Sequence, residues 1–354
     1  MWHIPIALTQ LMPQSATIAD IARAAGVGTA TVDRVLNRRP GVNADTMQRV
    51  MQAAAELGST TARGRPRRAG NFRFCYVLPA DGSPFVASLE RQVAQAAGDF
   101  RHRRITEITH QIDASDPNRF AAELLKRVDC DGIALLAPDL PGVKLAINEL
   151  VRAGVHVVTL FSDVAGSMRE THIGADNRAA GRTAGLLLGR MAGVSGRDTL
   201  LLSSQATRLS AQIERRIGFA QVIEERFTKL SVVRTPDLPA DDSAAAKALV
   251  RFLKKEFDLS RVAGIYNVGS GSVGVANALE TSGLAGVAAI VVHDLTETHR
   301  AMLGTGTLSY VLHEDLHYCI LTAANVLRAL CENVRGALNV AQPRVEILTA
   351  ENLH

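Results

Sequence analysis

The sequence predicts an α/β protein in which a three-helix unit precedes a larger domain of two lobes, each built on a doubly wound parallel sheet. Apolar residues recur at helical spacing between Thr17 and Asn37, and the pattern breaks at Gly26, which predicts two short helices around a tight turn. Beyond residue 72, short strands alternate with helices in more repeats than one open sheet accommodates. The chain of 354 residues is long enough for several cores.

The N-terminal segment has the residues that begin and end helices at suitable positions. Thr17 is a candidate N-cap with Asp20 three residues later, and Gly26 is a natural helix-ending residue. Thr29 is a candidate cap for a second helix, which makes the pair a helix-turn-helix. A third helix is capped by Asn43 and carries the apolar stripe Met47, Val50, Met51, Ala54 and Leu57. The second helix of such a motif enters the major groove of DNA, although a helical hairpin without that role has the same periodicity.

The positive charge of the chain is concentrated in the same region. The net charge is +4, and the first 70 residues hold nine arginines against four acidic residues. The rest of the chain therefore sums to −1. Because the basic excess coincides with the helix-turn-helix, it favours contact with nucleic acid at that end.

Other features of the composition predict a cytoplasmic protein. The four cysteines show no C-x-x-C spacing, which argues against a zinc site and against a disulfide framework. Residues 1–15 lack Lys and Arg and are interpreted as a disordered extension rather than a signal peptide. No stretch approaches 18 apolar residues, so no membrane partner is expected.

Residues 16–58 contain several motifs in register, namely T-I-x-D-I-A (Thr17–Ala22), A-G-V (Ala25–Val27), T-V-x-R-V-L-N (Thr31–Asn37) and A-A-x-E-L-G (Ala53–Gly58). On these motifs the segment resembles the DNA-binding head of the LacI/GalR family of bacterial transcription regulators. The resemblance implies that bases are read by Thr29, Ala30 and Arg34, and that phosphates are contacted by Thr17, Thr31 and Asn37. An arginine in the place of Arg34 can pair bidentately with a guanine edge; a solvated or phosphate-facing charge is the alternative.

Residues 59–71 form the clearest linker of the chain, since they combine arginines with Gly64, Pro66 and Gly70. In the family that the head resembles, this region folds into a hinge helix whose leucine wedges into the minor groove. Here Arg68 occupies that position, and Gly64 and Pro66 disfavour a helix. We expect the linker arginines to lie along phosphates or in the narrow minor groove, with a plain flexible tether as the alternative: Arg63, Arg65, Arg67 and Arg68.

Strands and helices alternate through the rest of the chain. Strands are predicted at 72–78, 104–111, 132–136, 156–160, 198–202, 231–234, 262–267 and 287–293, and helices at 85–100, 118–128, 143–153, 178–192, 212–226, 242–255 and 274–281. In parallel sheets, ligands bind beyond the carboxyl ends of the strands. Polar residues follow successive strands there, among them Asp81, Ser83, Ser162, Asp176 and His293. Each could equally cap or pack on the next helix.

Residues 72–350 resemble the effector domain of the same family, which is of the periplasmic-binding-protein type. The motifs are V-L-P-A-D-G-S-P-F (Val77–Phe85), A-P-D (Ala137–Asp139), T-L-F-S-D (Thr159–Asp163), I-G-A-D-N-x-A-A-G (Ile173–Gly181), R-x-x-G-F (Arg215–Phe219), I-Y-N-V-G (Ile265–Gly269) and H-D-L (His293–Leu295). The resemblance implies a sugar or polyol held by Phe85, Asp139, Asp163, Arg215, Asn267 and Asp294. Glu314 stands where such proteins usually have glutamine. It also implies one lobe at about 72–174 and 305–342, and another at about 175–304 and 343–350, with crossings near Ala175, Thr305 and Pro343.

Two other functional classes remain open at this stage. G-x-G-x-x-G at Gly269–Gly274, with Asp294 twenty residues on, matches the fingerprint of an NAD-dependent oxidoreductase. A solute-binding protein outside the cytoplasm would need the two lobes but no DNA motif. His293 with His299, or His313 with His317, could suggest a metal site, the second pair only if its segment were helical. We interpret the chain as a ligand-responsive repressor without enzymatic activity, cofactor or metal, acting as a homodimer or a tetramer on a pseudo-palindromic operator.

Overall fold

The computed structural model describes residues 17–36, 41–57, 71–100, 104–205, 208–239, 241–256, 258–334 and 340–353. Two predicted phosphate-contacting sets therefore lie outside the described residues: Asn37 and the linker arginines Arg63, Arg65, Arg67 and Arg68. The extension predicted at residues 1–15 lies outside them as well. The chain divides into an N-terminal unit and a larger unit that holds both lobes, and each is described by itself.

The N-terminal unit consists of α1 (Ile18–Ala25), α2 (Thr29–Leu36) and α3 (Ala44–Glu56). The backbone N–H of Asp20 donates to Thr17 Oγ1 while the Asp20 carboxylate accepts from the Thr17 N–H at 2.9 Å, so both ends of the capping box are satisfied. Gly26 ends α1 with a φ of +66°, a left-handed conformation that glycine adopts at little cost. The core of the unit is formed by Ile21, Ala22, Ala25, Val32, Val35, Val50, Ala53 and Ala54.

The predicted apolar stripe of α3 is only partly buried. Val50 and Ala54 are fully buried, as expected, and Ala53 joins them. Met47, Met51 and Leu57 are each more than two-fifths exposed, which corrects the prediction. The described residues of the unit form three short helices, and α1 and α2 cover no more than a narrow stripe of α3.

The larger unit contains two sheets with the same winding. The first comprises β1 (Phe72–Pro79), β2 (Ile105–Ile112), β3 (Gly132–Leu135), β4 (His156–Leu160) and β5 (Thr171–Ile173), in the order β2-β1-β3-β4-β5. The second comprises β6 (Thr199–Ser203), β7 (Ser231–Arg234), β8 (Val262–Asn267), β9 (Ala289–His293), β10 (Tyr310–Glu314) and β11 (Val345–Leu348), in the order β11-β10-β9-β8-β6-β7. The pairs are parallel except β10–β11, and the central strands are buried along almost their whole length, as strands covered on both faces are.

Helices cover both faces of each sheet. They are α4 (Pro84–Phe100), α5 (Pro117–Leu125), α6 (Pro141–Arg152), α7 (Asn177–Ser195), α8 (Ser210–Arg226), α9 (Asp242–Glu256), α10 (Ser272–Thr281), α11 (Glu297–Gly304) and α12 (Leu316–Cys331), with short 3₁₀ helices at Lys126–Asp129, Leu259–Arg261 and Ala350–Asn352. None of the helices in the described part of the chain is long and apolar enough to cross a membrane.

The chain exchanges one helix between the lobes in each direction. After β5, α7 packs in the core of the second sheet through Ala184 and Leu188, whereas α12, which follows β10, packs on the first sheet through Ile320 and Leu327. Lobe 1 is therefore the first sheet with α4–α6 and α12, and lobe 2 is the second sheet with α7–α11. The second crossing follows Glu314 rather than lying near Thr305, because β10 pairs with β9 in the second sheet. The prediction that assigned residues 305–342 entirely to lobe 1 was wrong for this strand.

Glycines let α7 and α8 approach each other closely. A Cβ on Gly181 of α7 would lie 1.9 Å from the backbone oxygen of Arg215, and one on Gly218 of α8 would lie 2.1 Å from that of Arg178. Neither position tolerates a side chain without moving a backbone. The contact fixes the face of α8 that carries Arg215.

Candidate ligand cleft and nucleic-acid interface

A cavity lies between the carboxyl ends of the two sheets and is lined by both lobes. Its volume is about 90 Å³. A single water molecule needs roughly 10–15 Å³ on the same measure, so the cavity has room for a small molecule. Its position agrees with the general location of ligands in open α/β sheets.

Lobe 1 contributes a largely apolar wall, together with the polar residues Asp81, Ser83 and Ser162. Pro79, Phe85, Leu136 and Phe161 line the cavity from this side. The rings of Phe85 and Phe161 meet edge to face, with centroids 5.4 Å apart and an interplanar angle of 87°. An aromatic surface of this kind suits the C–H face of a sugar ring.

Lobe 2 contributes a polar wall whose centre is Arg215. This side chain is 8% exposed and lines the cavity. Its Nε–H donates to Asn177 Oδ1 at 2.7 Å and its Nη1 donates to the Val268 carbonyl at 3.4 Å. Asn177 in turn donates to the Phe161 carbonyl at 3.0 Å, so the guanidinium is connected through α7 to the opposite wall. Because its partners lie on fixed backbone, Arg215 is held in one orientation towards the cavity.

Two residues that line the cavity have unusual backbone conformations. Phe161 follows β4 with a φ of +58°, and Asp294 follows β9 with a φ of +64°. Residues other than glycine adopt this conformation at a cost and are concentrated at functional sites.

Glu314 is buried at the second crossing, next to the first. Its Oε1 accepts the N–H of Ala175 at 2.7 Å and the thiol of Cys319 at 3.4 Å. Burial raises the pKa of Glu314 to about 7, although the Ala175 N–H and the charge of Arg215 favour the ionised form. The residue thus joins the two crossing segments rather than lining the cavity.

The predicted ligand residues are only partly brought together. Phe85, Arg215 and Asp294 line the cavity, whereas Asn267 is fully buried and its amide donates to the carbonyls of Gly269 and Ser270 at 3.0 and 3.1 Å. Asn267 therefore shapes the loop that does line the cavity.

Two predicted carboxylates are engaged elsewhere. Asp139 forms an ion pair with Lys144 at 3.0 Å, and Asp163 accepts two hydrogen bonds from Arg169. Burial opposes the ionisation of Asp163, but hydrogen bonds from Arg169 and Thr159 outweigh it and lower the pKa. Neither side chain is among the residues that line the cavity in the described part of the chain.

The loops that carry these carboxylates connect the lobes at the cleft. The N–H of Asp139 donates to the Arg208 carbonyl at 3.0 Å, and Ser210 Oγ donates to the Asp163 carbonyl at 2.6 Å. The N–H of Ala211 donates to Ser162 Oγ at 3.3 Å. The start of α8 is thus hydrogen-bonded to the loops after β3 and β4.

Sequence reasoning missed several polar residues of the cavity, namely Gln212, Ser270, Ser272, Thr296 and His299. Ser270 and Ser272 lie inside G-x-G-x-x-G, so the motif marked a cavity-lining loop although it suggested another ligand. Gly274, the last glycine of that motif, is needed for helix packing, since a Cβ there would lie 2.5 Å from the Asp242 carbonyl oxygen of α9. This loop also follows the third strand of lobe 2 along the chain, whereas the dinucleotide fingerprint belongs to the first.

In the N-terminal unit, the predicted DNA-contacting residues lie on the outside of α2. Thr29, Ala30 and Arg34 are exposed, while Val32 and Val35 on the opposite face are buried in the core. Thr31 is partly exposed, and Thr17 is exposed but uses its hydroxyl in the capping box. The exposed face of α2 is therefore free to enter a groove.

The two units match two families. A family model described as "Bacterial regulatory proteins, lacI family" matches residues 17–61, and one described as "Periplasmic binding protein domain" matches residues 74–333. The chain belongs to the periplasmic binding protein domain family, and it carries this domain behind a DNA-binding domain of the lacI family. The resemblance found in the sequence is thereby confirmed, and so is the fold class, with its two-lobed domain of the periplasmic-binding-protein type.

Several of the similar proteins are transcription regulators. The chain is 25% identical to the HTH-type transcriptional regulator GalS of Salmonella typhimurium over 257 residues, which is 67% of this chain and 69% of GalS. It is 29% identical over 128 residues to the ribose operon repressor of Halalkalibacterium halodurans, covering 35% of this chain and 38% of that protein. An ABC transporter solute-binding protein of Burkholderia graminis in complex with D-arabinose superposes with a TM-score of 0.72 at 18% identity, covering 81% of this chain and 98% of that one. The last likeness concerns the fold of the two lobes.

Proposed function

We propose that this chain is a repressor that binds operator DNA through its N-terminal unit and responds to a neutral sugar or polyol in the cleft. The observation that carries the proposal is the combination, in one chain, of an exposed α2 bearing Arg34 and a two-lobed cavity with one aromatic and one polar wall. The regulators among its relatives support the same function.

In this proposal α2 lies in the major groove. Arg34 pairs with a guanine edge, and Thr29 and Ala30 contact neighbouring bases. Thr17, Thr31, Asn37 and the linker arginines contact phosphates, which position the unit without specifying the sequence.

The protein acts in the cytoplasm as a homodimer, so that two N-terminal units read the half-sites of a pseudo-palindromic operator. The ligand changes the closure of the lobes and thereby the affinity for the operator. Ligand and operator must then alter each other's affinity by the same factor. We expect release of the operator when the ligand binds.

The test measures fluorescence anisotropy of the protein's own upstream DNA and of a scrambled duplex, with and without D-ribose and D-arabinose. We expect preference for the upstream DNA, and weaker binding when an effective sugar is added. Arg34→Ala should remove the preference at a cost of about 1–3 kcal/mol in specific binding while keeping general binding.

Arg49→Ala is the matched control, because Arg49 is an equally charged, exposed side chain on α3. It should keep the ratio of specific to general binding. Equal affinity of the unaltered protein for the upstream and scrambled duplexes would refute the proposal.

A further inference from the structure

One corner of the cleft has its hydrogen-bond polarity fixed by the protein itself. Ser272, the first residue of α10, and His299 of α11 are both buried and both line the cavity. Ser272 Oγ lies 2.5 Å from His299 Nε2, and His299 Nδ1 lies 2.5 Å from the Asp294 carbonyl oxygen. The three residues form a continuous chain of hydrogen bonds.

The chemistry of this chain allows one assignment of protons in the neutral imidazole. A carbonyl oxygen can only accept, so Nδ1 of His299 carries the hydrogen. Nε2 is then a bare acceptor, and the Ser272 hydroxyl must donate to it. The proton of Ser272 is therefore used within the protein, and its oxygen can offer only lone pairs to a bound molecule.

Neighbouring groups have the same polarity. Asp294, which carries a carboxylate, lines the cavity, and Gln212 Oε1 is buried without a hydrogen-bond partner among the described residues. The Gln212 amide lies against Gly269 of the same loop, where a Cβ would be 2.9 Å from Oε1. Gln212 can turn its amide, and Ser270 of the same loop carries a hydroxyl, so either can offer a donor instead. Ser272 and Asp294 cannot.

The net charge of the residues around the cavity also disfavours an anionic ligand. Apart from histidines, the ionisable side chains lining it in the described part of the chain are Asp81, Arg215 and Asp294, a balance of −1. Burial lowers the pKa of His293 well below its ordinary value, so this histidine adds no positive charge. The N-terminus of α10, where a phosphate could bind, already has a carboxylate, because Asp242 Oδ1 accepts the N–H of Gly274 at 3.0 Å.

From these observations we propose that the cleft selects a neutral polyhydroxyl ligand, whose hydroxyls donate to Ser272 and Asp294, and discriminates against the phosphorylated form of the same sugar. The inference rests on the proposed function and specifies its ligand class. A phosphate at this corner would bring only acceptors to acceptors and would add negative charge to a cavity that is already negative. Specificity then comes from groups that a wrong ligand leaves unpaired.

The direct test is calorimetric titration of the full-length protein with D-ribose against D-ribose 5-phosphate, and with D-arabinose against D-arabinose 5-phosphate. At least one unphosphorylated sugar should bind about tenfold or more tightly than its phosphate, a difference of about 1.4 kcal/mol. Equal or tighter binding of the phosphate would overturn the inference. If that phosphate also changed the affinity for the operator, the proposed function as a ligand-responsive repressor would still hold.

Variants separate the two acceptors. Asp294→Asn replaces a carboxylate by an amide that can donate, and asparagine tolerates the left-handed backbone at this position, so the preference over the phosphate should shrink severalfold. Ser272→Ala should weaken binding of the unphosphorylated sugar about tenfold. Thr281→Ala, at the exposed end of the same helix and away from the cavity, is its control and should change the affinity less than twofold. An unchanged ratio in Asp294→Asn would count against the inference.

If neither the two sugars nor their phosphates bind, the proposed sugar class is refuted. The protonation of His299 can still be measured without a ligand, and it tests the polarity of this corner directly. Long-range ¹H–¹⁵N spectra of the protein, with the signal assigned by its loss in His299→Gln, report which ring nitrogen of His299 is protonated. We expect the hydrogen on Nδ1. A hydrogen on Nε2 would leave the Ser272 hydroxyl free to donate and would overturn the inference.

Discussion

Phe161 and Asp294 occupy equivalent places in the two lobes. Each follows the fourth strand of a sheet with the same winding, each has a left-handed backbone, and each donates its N–H to the neighbouring strand, Phe161 to Ile173 and Asp294 to Leu312. One presents an aromatic ring to the cleft and the other a carboxylate. The fold therefore supplies the position and the strained backbone, while the side chain supplies the chemistry.

The comparison explains why the cleft suits an amphipathic ring compound. Lobe 1 offers ring faces and aliphatic carbons, whereas lobe 2 offers Arg215, Asp294 and the Ser272–His299 pair. A sugar has an apolar C–H face and a rim of hydroxyls, so both walls are used only when the lobes are closed on it. Changes to either wall should therefore have different and measurable effects.

The largest effect on stability is expected from a substitution that disrupts the close contact between α7 and α8, which positions the lobe 2 wall. Gly181→Ala forces α7 away from the backbone of Arg215, and we expect a loss of about 3 kcal/mol or more in the free energy of unfolding, at the upper end for overpacking. Sugar binding should fall with it, because α8 carries Arg215 and Gln212. Urea denaturation followed by circular dichroism measures the loss.

The control for this substitution lies on the same helix. Gly193 of α7 is exposed, and a Cβ there would have nothing within 4 Å. Gly193→Ala should be neutral or stabilising by up to about 1 kcal/mol, since alanine is the better helix former. Similar losses in both variants would show that the close contact of α7 and α8 is not the cause.

The next effect concerns Glu314, at the crossing where the two walls join. Its native pKa of about 7 exceeds the ordinary 4.5, so the folded protein holds this proton more tightly than the unfolded chain. The stability it contributes is present below pH 4.5 and is lost as the pH rises to 7. The loss amounts to about 3 kcal/mol.

Glu314→Gln keeps the shape of the side chain and removes the titration. We expect its free energy of unfolding to equal that of the unaltered protein below about pH 4.5, and to exceed it above pH 7. Urea denaturation at a series of pH values measures the difference. A difference that does not change across this range would contradict the assignment.

The two regions differ in how far the sequence predicts them. The N-terminal unit depends on contacts between near neighbours, such as Thr17 with Asp20 and the turn at Gly26, so its helices were predicted closely. The cleft depends on residues far apart in the chain. Ser272 and His299 are 27 positions apart, and no spacing marks them as partners.

The same limit explains the errors at the ligand residues. Asp163 follows a strand, as a ligand residue should. Its carboxylate, however, accepts a hydrogen bond from Arg169, which lies in the loop that follows β4. Asp139 is taken by Lys144 of α6. Sequence patterns predict which loops reach the cleft, whereas the side chains that face it depend on competition among neighbours within each loop.

A smaller effect is expected from Arg215→Gln in the polar wall. The substitution removes a charged donor whose orientation is fixed by Asn177 and Val268, so the affinity for an effective pentose should fall roughly 10- to 100-fold. Calorimetric titration measures it. Arg216→Gln on the same helix is the control, because Arg216 is not among the described residues that line the cavity, and its affinity should stay unchanged.

The smallest effect is expected from Phe85→Leu in the apolar wall. Leucine keeps most of the buried volume but loses the edge-to-face contact with Phe161 and the flat ring offered to the sugar, together worth about 0.5–1.5 kcal/mol. The affinity for the same pentose should therefore fall about 3- to 10-fold, with no change in the preference over its phosphate, since discrimination resides in lobe 2. A Phe85→Leu protein that accepted the phosphate would show that the two walls do not act separately.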